Sequence, residues 1–348
     1  VRIHLGHHFY GAGNLGDDFM VAGFLQAVAL STVPVTLTGC VPFDLAPLAR
    51  RFPQIAWHPY TPDARARCIA ECDAWLGLGG SPFQSAQSRW FIDHLTGETE
   101  RCATTGKPMF YLGVGVQTEE EVRVPEVRNL CAHARGIWTR DAASAERLQS
   151  LGLTTPIAAG ADFAHILFRH QKPPSARTGA LALVANFDYG AWPGRDDCLQ
   201  AIQAIAPTER IWLAQESREL PGAERALFAG LPKEERARWQ LAVPDEAGAP
   251  LSEVLTRWPS GEWLITSRFH AAIAGAWAGS KVVVIGTNEK LRSIARDLGT
   301  PLIEPDADPK TVLHALKIAR PSPPPLALAS QAEAACAAFV RSAVAPHR

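Results

Sequence analysis

The 348-residue chain has no apolar run near the roughly 20 residues that cross a bilayer, and no surplus of charge, with 34 Lys plus Arg against 35 Asp plus Glu. The first absence argues against a membrane-spanning segment. The second leaves no general field to gather nucleic acid or anionic lipid, so any anion has to be bound by local groups. Cysteine is thinly scattered: Cys40, Cys68, Cys72, Cys102, Cys131, Cys198 and Cys336 are odd in number and form no C-x-x-C pair. That distribution reads as reduced, structural thiols, not a disulfide framework or zinc site. H-E-x-x-H, the G-K-[ST] phosphate loop and the G-x-S-x-G elbow are all missing. Asp17, Asp18 and Asp162 share no ligand spacing, so a metal is not expected. The opening VRIHLGHHF lacks the basic and long apolar segments of a signal peptide, which makes the cytoplasm the expected compartment.

What is present is alternation. Short apolar runs at Ile3–Phe9, 33–38, 55–58, 74–78, 109–113, 136–139 and 157–159 are interleaved with helical patterns, as in a doubly wound α/β domain. The polar, proline-containing stretch 171–179 has no periodicity and is read as a linker. A second series of strands and helices follows over 180–325, and an Ala-rich helix at 326–348 folds back over one domain or the other. The expected domains are therefore 1–170 and 180–325. The fold class is α/β, with two Rossmann-like doubly wound domains facing across a cleft, the arrangement called GT-B. Fold alone leaves function open.

Three groups of strand-end residues carry the chemistry. Gly11-Ala-Gly13-Asn14-Leu15-Gly16-Asp17 matches the G-x-G-x-x-G fingerprint, yet the second strand ends Thr38-Gly39-Cys40 without the acidic residue that holds a ribose, which weakens a dinucleotide reading. What survives is a tight turn with Asn14 and Asp17 at a helix start, either against a ligand or merely as turn and cap. Gly79, Gly80 and Ser81 end another strand, and Gly113-Val-Gly115-Val-Gln117 a third; singly they are only turn signals. Arg140 follows a further strand, where a lone arginine is more often a surface ion-pair partner.

The third group has the sharpest content. Trp263-Leu-Ile265 runs into Ser267-Arg268-Phe269-His270 and an Ala-rich helix starting near Ala271. Ligands gather at the carboxyl ends of parallel strands, and the free N–H groups of a helix start favour an anion. Arg268 supplies charge, His270 a group able to move a proton near neutral pH, and Lys290 a second cation after the next strand.

Together these segments resemble the polysaccharide pyruvyl transferase family: G-A-G-N-L-G-D-D, G-L-G-G-S-P-F at 77–83, G-V-G-V at 113–116, T-R-D-A-A-S-A-E-R-L at 139–148, A-D at 161–162, S-R-F-H-A-A-I-A-G-A-W-A-G and Lys290, in order over most of the chain. The chain departs from that pattern at Gln117 and at Ala161–His165. The resemblance implies a GT-B-like enzyme that moves pyruvate from phosphoenolpyruvate onto sugar hydroxyls as a ketal, without a cofactor. His270, Arg268 and Asp17 would be catalytic; Arg268, Phe269, Ala271, Lys290 and Arg140 would bind the donor; Gly13, Asn14, Gly16, Asp17, Gly79, Gly80 and Ser81 would bind the acceptor. Its partners would be a small-molecule donor and a saccharide, with peripheral membrane contact open through a lipid-linked acceptor. The alternatives are a nucleotide-sugar glycosyltransferase on the same architecture and a non-catalytic glycan-binding relative.

Overall fold

The computed structural model describes residues 1–84, 89–187, 190–218, 220–245 and 248–345; the last three residues of the expected 326–348 helix lie outside them. Contacts divide the chain into two units, one of residues 1–12, 17–167 and 326–348, the other of residues 13–16 and 168–325.

The first unit holds strands β1 (Arg2–Leu5), β2 (Thr36–Val41), β3 (Ile55–Pro59), β4 (Ala74–Leu78), β5 (Met109–Val114), β6 (Ala134–Thr139) and β7 (Ile157–Ala159). They form one parallel sheet in the order β3-β2-β1-β4-β5-β6-β7. All residues of β4 and β5 are buried, as expected of central parallel strands covered by helices on both faces. The chain moves outward from β1 to β3 and then returns to the other side of β1 with β4, so the sheet switches direction between β1 and β4. The C-terminal helix Leu326–Val344 belongs to this unit, with Phe339 against Phe24, Phe110 and Trp138.

The second unit holds β8 (Arg177–Val184), β9 (Glu209–Leu213), β10 (Gln240–Ala242), β11 (Gly261–Thr266), β12 (Lys281–Ile285) and β13 (Leu302–Ile303), parallel and ordered β10-β9-β8-β11-β12-β13. Its switch lies between β8 and β11. β8 starts inside the polar stretch 171–179, because Arg177 already takes a backbone bond from its N–H to Ser260. Trp192, Trp212 and Trp239 fill one side of the sheet with Leu183, Ile202, Ile265 and Val283.

The first strand stops at Leu5, short of the apolar pattern; Gly6 still donates its N–H to Leu76 O at 2.8 Å and packs on Trp75, where a Cβ would fall 1.9 Å from the indole. Residues 7–10 then leave the sheet as a turn at its carboxyl end. All seven cysteines are buried free thiols. No helix among the described residues is long and apolar enough to cross a membrane.

Candidate active site

At the switch of the second sheet, Ser267 joins the two diverging strands. Its N–H donates to Val184 O (3.0 Å); its hydroxyl accepts from Asn186 N–H and donates to Asn186 O, both at 2.7 Å. Arg268 follows as the residue before the helix Phe269–Ala278, and its backbone N–H donates to Thr266 Oγ1 at 2.9 Å. All ten residues of that helix are buried, and Arg268 gives it no side-chain cap. Asp141, Asn288 and Asp308 do cap their own helices in that way, and the dipole of a helix start favours an anion.

The Arg268 side chain is held by carboxylates. Its Nε donates to Glu224 Oε1 (2.7 Å) and its Nη2 to Glu224 Oε2 (3.2 Å), a fork that fixes the guanidinium plane. Glu216 Oε2 stands 3.9 Å from the same Nη2. Both glutamates are buried, Glu224 completely. Glu216 is shared with Arg218, whose Nε donates to Oε1 at 2.8 Å, and Arg225 donates to Ser217 O at 3.1 Å. Arg268, Arg218 and Arg225 thus gather at this turn with Glu224 and Glu216.

His270 is buried at 8% exposure, edge-on to Phe269. The glycine-rich segment reaches it: Gly13–Gly16 belong to this second unit. Asn14 forms an antiparallel bridge with Glu216; Ser217 N–H and hydroxyl donate to Gly13 O at 2.8 and 3.1 Å. Asn14 Oδ1 accepts from Gly16 N–H (3.0 Å) and from Gln215 Nε2 (3.1 Å). The glycines have steric reasons. Gly13 sits at φ +96° with its missing Cβ 2.4 Å from Ser217 Oγ, and a Cβ on Gly16 would fall 2.1 Å from His270 Nδ1. The fingerprint-like spacing thus serves close approach of this segment to residues 215–217 and His270.

The structure therefore brings Gly13, Asn14 and Gly16, expected on the acceptor side, together with His270 and the Arg268 pair. Phe269 and Ala271 lie in the first turn of the same helix, and Lys290 is the second residue of the helix Glu289–Leu298, after β12. Asp17 is in the first turn of Leu15–Ala29 and is counted with the first unit. Arg140, expected to hold the donor, is a buried residue of the first unit whose Nη groups donate to Gly80 O (3.4 Å) and Ser81 Oγ (3.2 Å). It stiffens the loop of Gly79, Gly80 and Ser81. Gln215, Glu216 and Glu224 were not singled out from sequence. The first two directly follow the apolar run 210–214, so the strand-end rule that flagged Arg268 applies to them equally; Glu224 carries no such mark.

The architecture is GT-B-like: two doubly wound parallel sheets with helices on their faces. It is similar to Anabaena Alr3699/HepE in complex with UDP (10% identity, 98% of each chain, TM-score 0.60). It is also similar to the UDP-GlcNAc 2-epimerases of Methanocaldococcus jannaschii (10% identity, 98% of this chain and 99% of that one, TM-score 0.61) and of Neisseria meningitidis bound to UDP-GlcNAc (same values). A search of the curated proteins found no match. The family model of polysaccharide pyruvyl transferase matches residues 14–289, and the chain belongs to that family. The matched span runs from Asn14 to Glu289 and so includes Arg268, His270, Glu216 and Glu224.

Proposed function

We propose that the protein transfers pyruvate from phosphoenolpyruvate to two hydroxyls of a sugar, in a glycan or glycan precursor, to form a ketal. The observation that carries this reading is one buried turn in which Arg268, oriented by Glu224, precedes an uncapped helix start bearing His270. Phosphoenolpyruvate brings a phosphate and a carboxylate. The Arg268 guanidinium and the helix start at Phe269–Ala271 meet that charge, with Lys290 as a further cation.

Protonation of the methylene carbon makes C2 an electrophile. A sugar hydroxyl adds there and loses its proton; a second hydroxyl on the same sugar then displaces inorganic phosphate and loses its own, closing the ketal. His270 supplies the proton or accepts it, and Asp17 is the second group proposed to take a hydroxyl proton. Gly16 lets the imidazole reach its place. No cofactor is required by these steps.

His270→Ala is expected to keep the fold and lower acceptor-dependent phosphate release from phosphoenolpyruvate by about 10²–10⁴-fold, the usual worth of a general acid or base. An unimpaired variant removes the assignment.

The structural neighbours support a second reading, since they include complexes with UDP, UDP-glucose and UDP-GlcNAc. Thermal shift separates the two, because a ligand of the native state raises Tm by mass action. Stabilisation by phosphoenolpyruvate and none by UDP-sugars supports pyruvyl transfer; the reverse supports nucleotide-sugar chemistry.

A further inference from the structure

The switch of the first sheet carries a different set of side chains. His7 and His8 leave β1 at its carboxyl end, Tyr60 follows β3, and Trp90 opens the helix Trp90–Thr105 that follows β4. His8 lies among rings: Trp90 at 4.7 Å (65°), Tyr60 at 4.8 Å (40°) and His94 at 4.2 Å (82°). Trp90 is 50% exposed, while Phe91 and His94 beside it are buried.

The tautomers follow from the hydrogen bonds. His94 Nε2 lies 2.8 Å from Gly6 O and must donate to it, so its Nδ1 is the acceptor of the Tyr60 hydroxyl at 2.7 Å. Arg65 lies 4.5 Å over the Tyr60 ring, with its charge met by the buried carboxylate of Glu98, which also accepts from Trp75 Nε1 at 3.0 Å. The platform is held in place from beneath. Burial, with His94 and Arg65 nearby, pushes His8 down to about 3, and burial first pushes His94 down to about 4. Both rings are neutral at pH 7.

His8 Nδ1 is closed off from solvent and has no protein partner. A buried unmet acceptor is better tolerated than a buried unmet donor, which places the proton on Nε2. That N–H is then a neutral donor beside a half-exposed indole. A pyranose ring has an apolar C–H face and a rim of hydroxyls; an indole takes the first, and an uncharged N–H beside it takes one of the second.

We infer that Trp90 and His8 form a saccharide subsite, with Trp90 stacking on a sugar ring and His8 Nε2 donating to one of its oxygens. The inference rests on the pyruvyl-transfer reading only in calling that sugar the acceptor; saccharide binding itself stands apart from it.

Saturation-transfer NMR on the full-length protein tests it with methyl glycosides of glucose, galactose, mannose and N-acetylglucosamine, and with oligosaccharides built from them. At least one is expected to bind. Trp90→Ala should weaken that binding about tenfold or more, Trp90→Phe should restore most of it, and His8→Phe, which keeps the ring and removes the donor, should weaken it severalfold. Ile318→Ala, an exposed apolar residue of the second unit, should change nothing. Undiminished binding by Trp90→Ala, or no binding by any of these saccharides, overturns the inference. Pyruvate transfer with an unchanged acceptor KM in Trp90→Ala overturns the subsite and leaves the proposed function intact. Trp90-dependent binding without any transfer from phosphoenolpyruvate does the opposite.

Discussion

The two sheets meet their switch points with opposite chemistry. At the carboxyl ends of β8 and β11, Arg268 stands between buried Glu224 and Glu216, with Arg218 and Arg225 alongside and His270 one residue past the helix start. At the carboxyl ends of β1 and β4 the side chains are neutral histidines and aromatic rings. A parallel sheet offers the same crevice in both cases; the residues placed there decide what each can hold. Fixed charge suits a small anionic donor, whereas rings with uncharged donors suit a sugar. The charged site carries a cost, because its ions are out of water and depend on each other.

That dependence gives the largest expected effect. Glu224 is fully buried and the Arg268 side chain is 15% exposed, and removing one partner of a buried pair costs up to about 3–5 kcal/mol, because the other charge is left uncompensated. Glu224→Ala should therefore lower the stability of the second unit by about that amount, measured by denaturant titration with amide exchange on β8, β9 and β11. Glu224→Gln retains an acceptor and should cost less. If Glu224→Ala unfolds like the wild type, the guanidinium is not held as described.

The next effect lies in activity. The Cβ of Gly16→Ala would fall 2.1 Å from His270 Nδ1, so the imidazole must move. Alanine is favoured over glycine within a helix by about 1 kcal/mol, which offsets part of the strain. The expected outcome is a folded protein with kcat reduced about 10²-fold, since a displacement of about 1 Å at a catalytic group costs that much. A variant with normal kcat would show that the placement of His270 is immaterial.

This pair of sites also explains what was legible from sequence. The central strands were, because buried parallel strands are continuous apolar runs: 74–78 coincides with the fully buried β4. Arg268 and His270 were, because they sit next to each other in sequence at a strand end. Glu224 was not; it reaches Arg268 across 44 residues, and only packing joins them. The aromatic platform was illegible for the same reason, with one ring from each of residues 8, 60, 90 and 94. The helix Trp90–Thr105 that delivers two of them is masked by Gly97 and a threonine-rich second half of low helix propensity. Even the glycine-rich turn was legible as a turn but not as a neighbour of His270, since spacing carries no information about what a missing Cβ avoids.

The last effect, graded by pH and absent near neutrality, sharpens the contrast between the two sites. Burial holds His4 and His94 down to about 4 and His8 to about 3, whereas an unfolded histidine titrates near 6.5. Between those values the unfolded chain binds more protons than the folded one, so stability falls as pH falls. The loss begins near pH 6.5, continues to about pH 4, and amounts to at most about 1.4 kcal/mol per pH unit for each histidine involved. Amide exchange on β1, β4 and β5 between pH 6.5 and 5, above the range where carboxylates titrate, is expected to report this slope once intrinsic exchange rates are corrected. His4→Asn should reduce it by about one proton's worth. A flat profile in the wild type would mean that these imidazoles are already hydrated, and the neutral character assigned to the first sheet's switch point would fail with it.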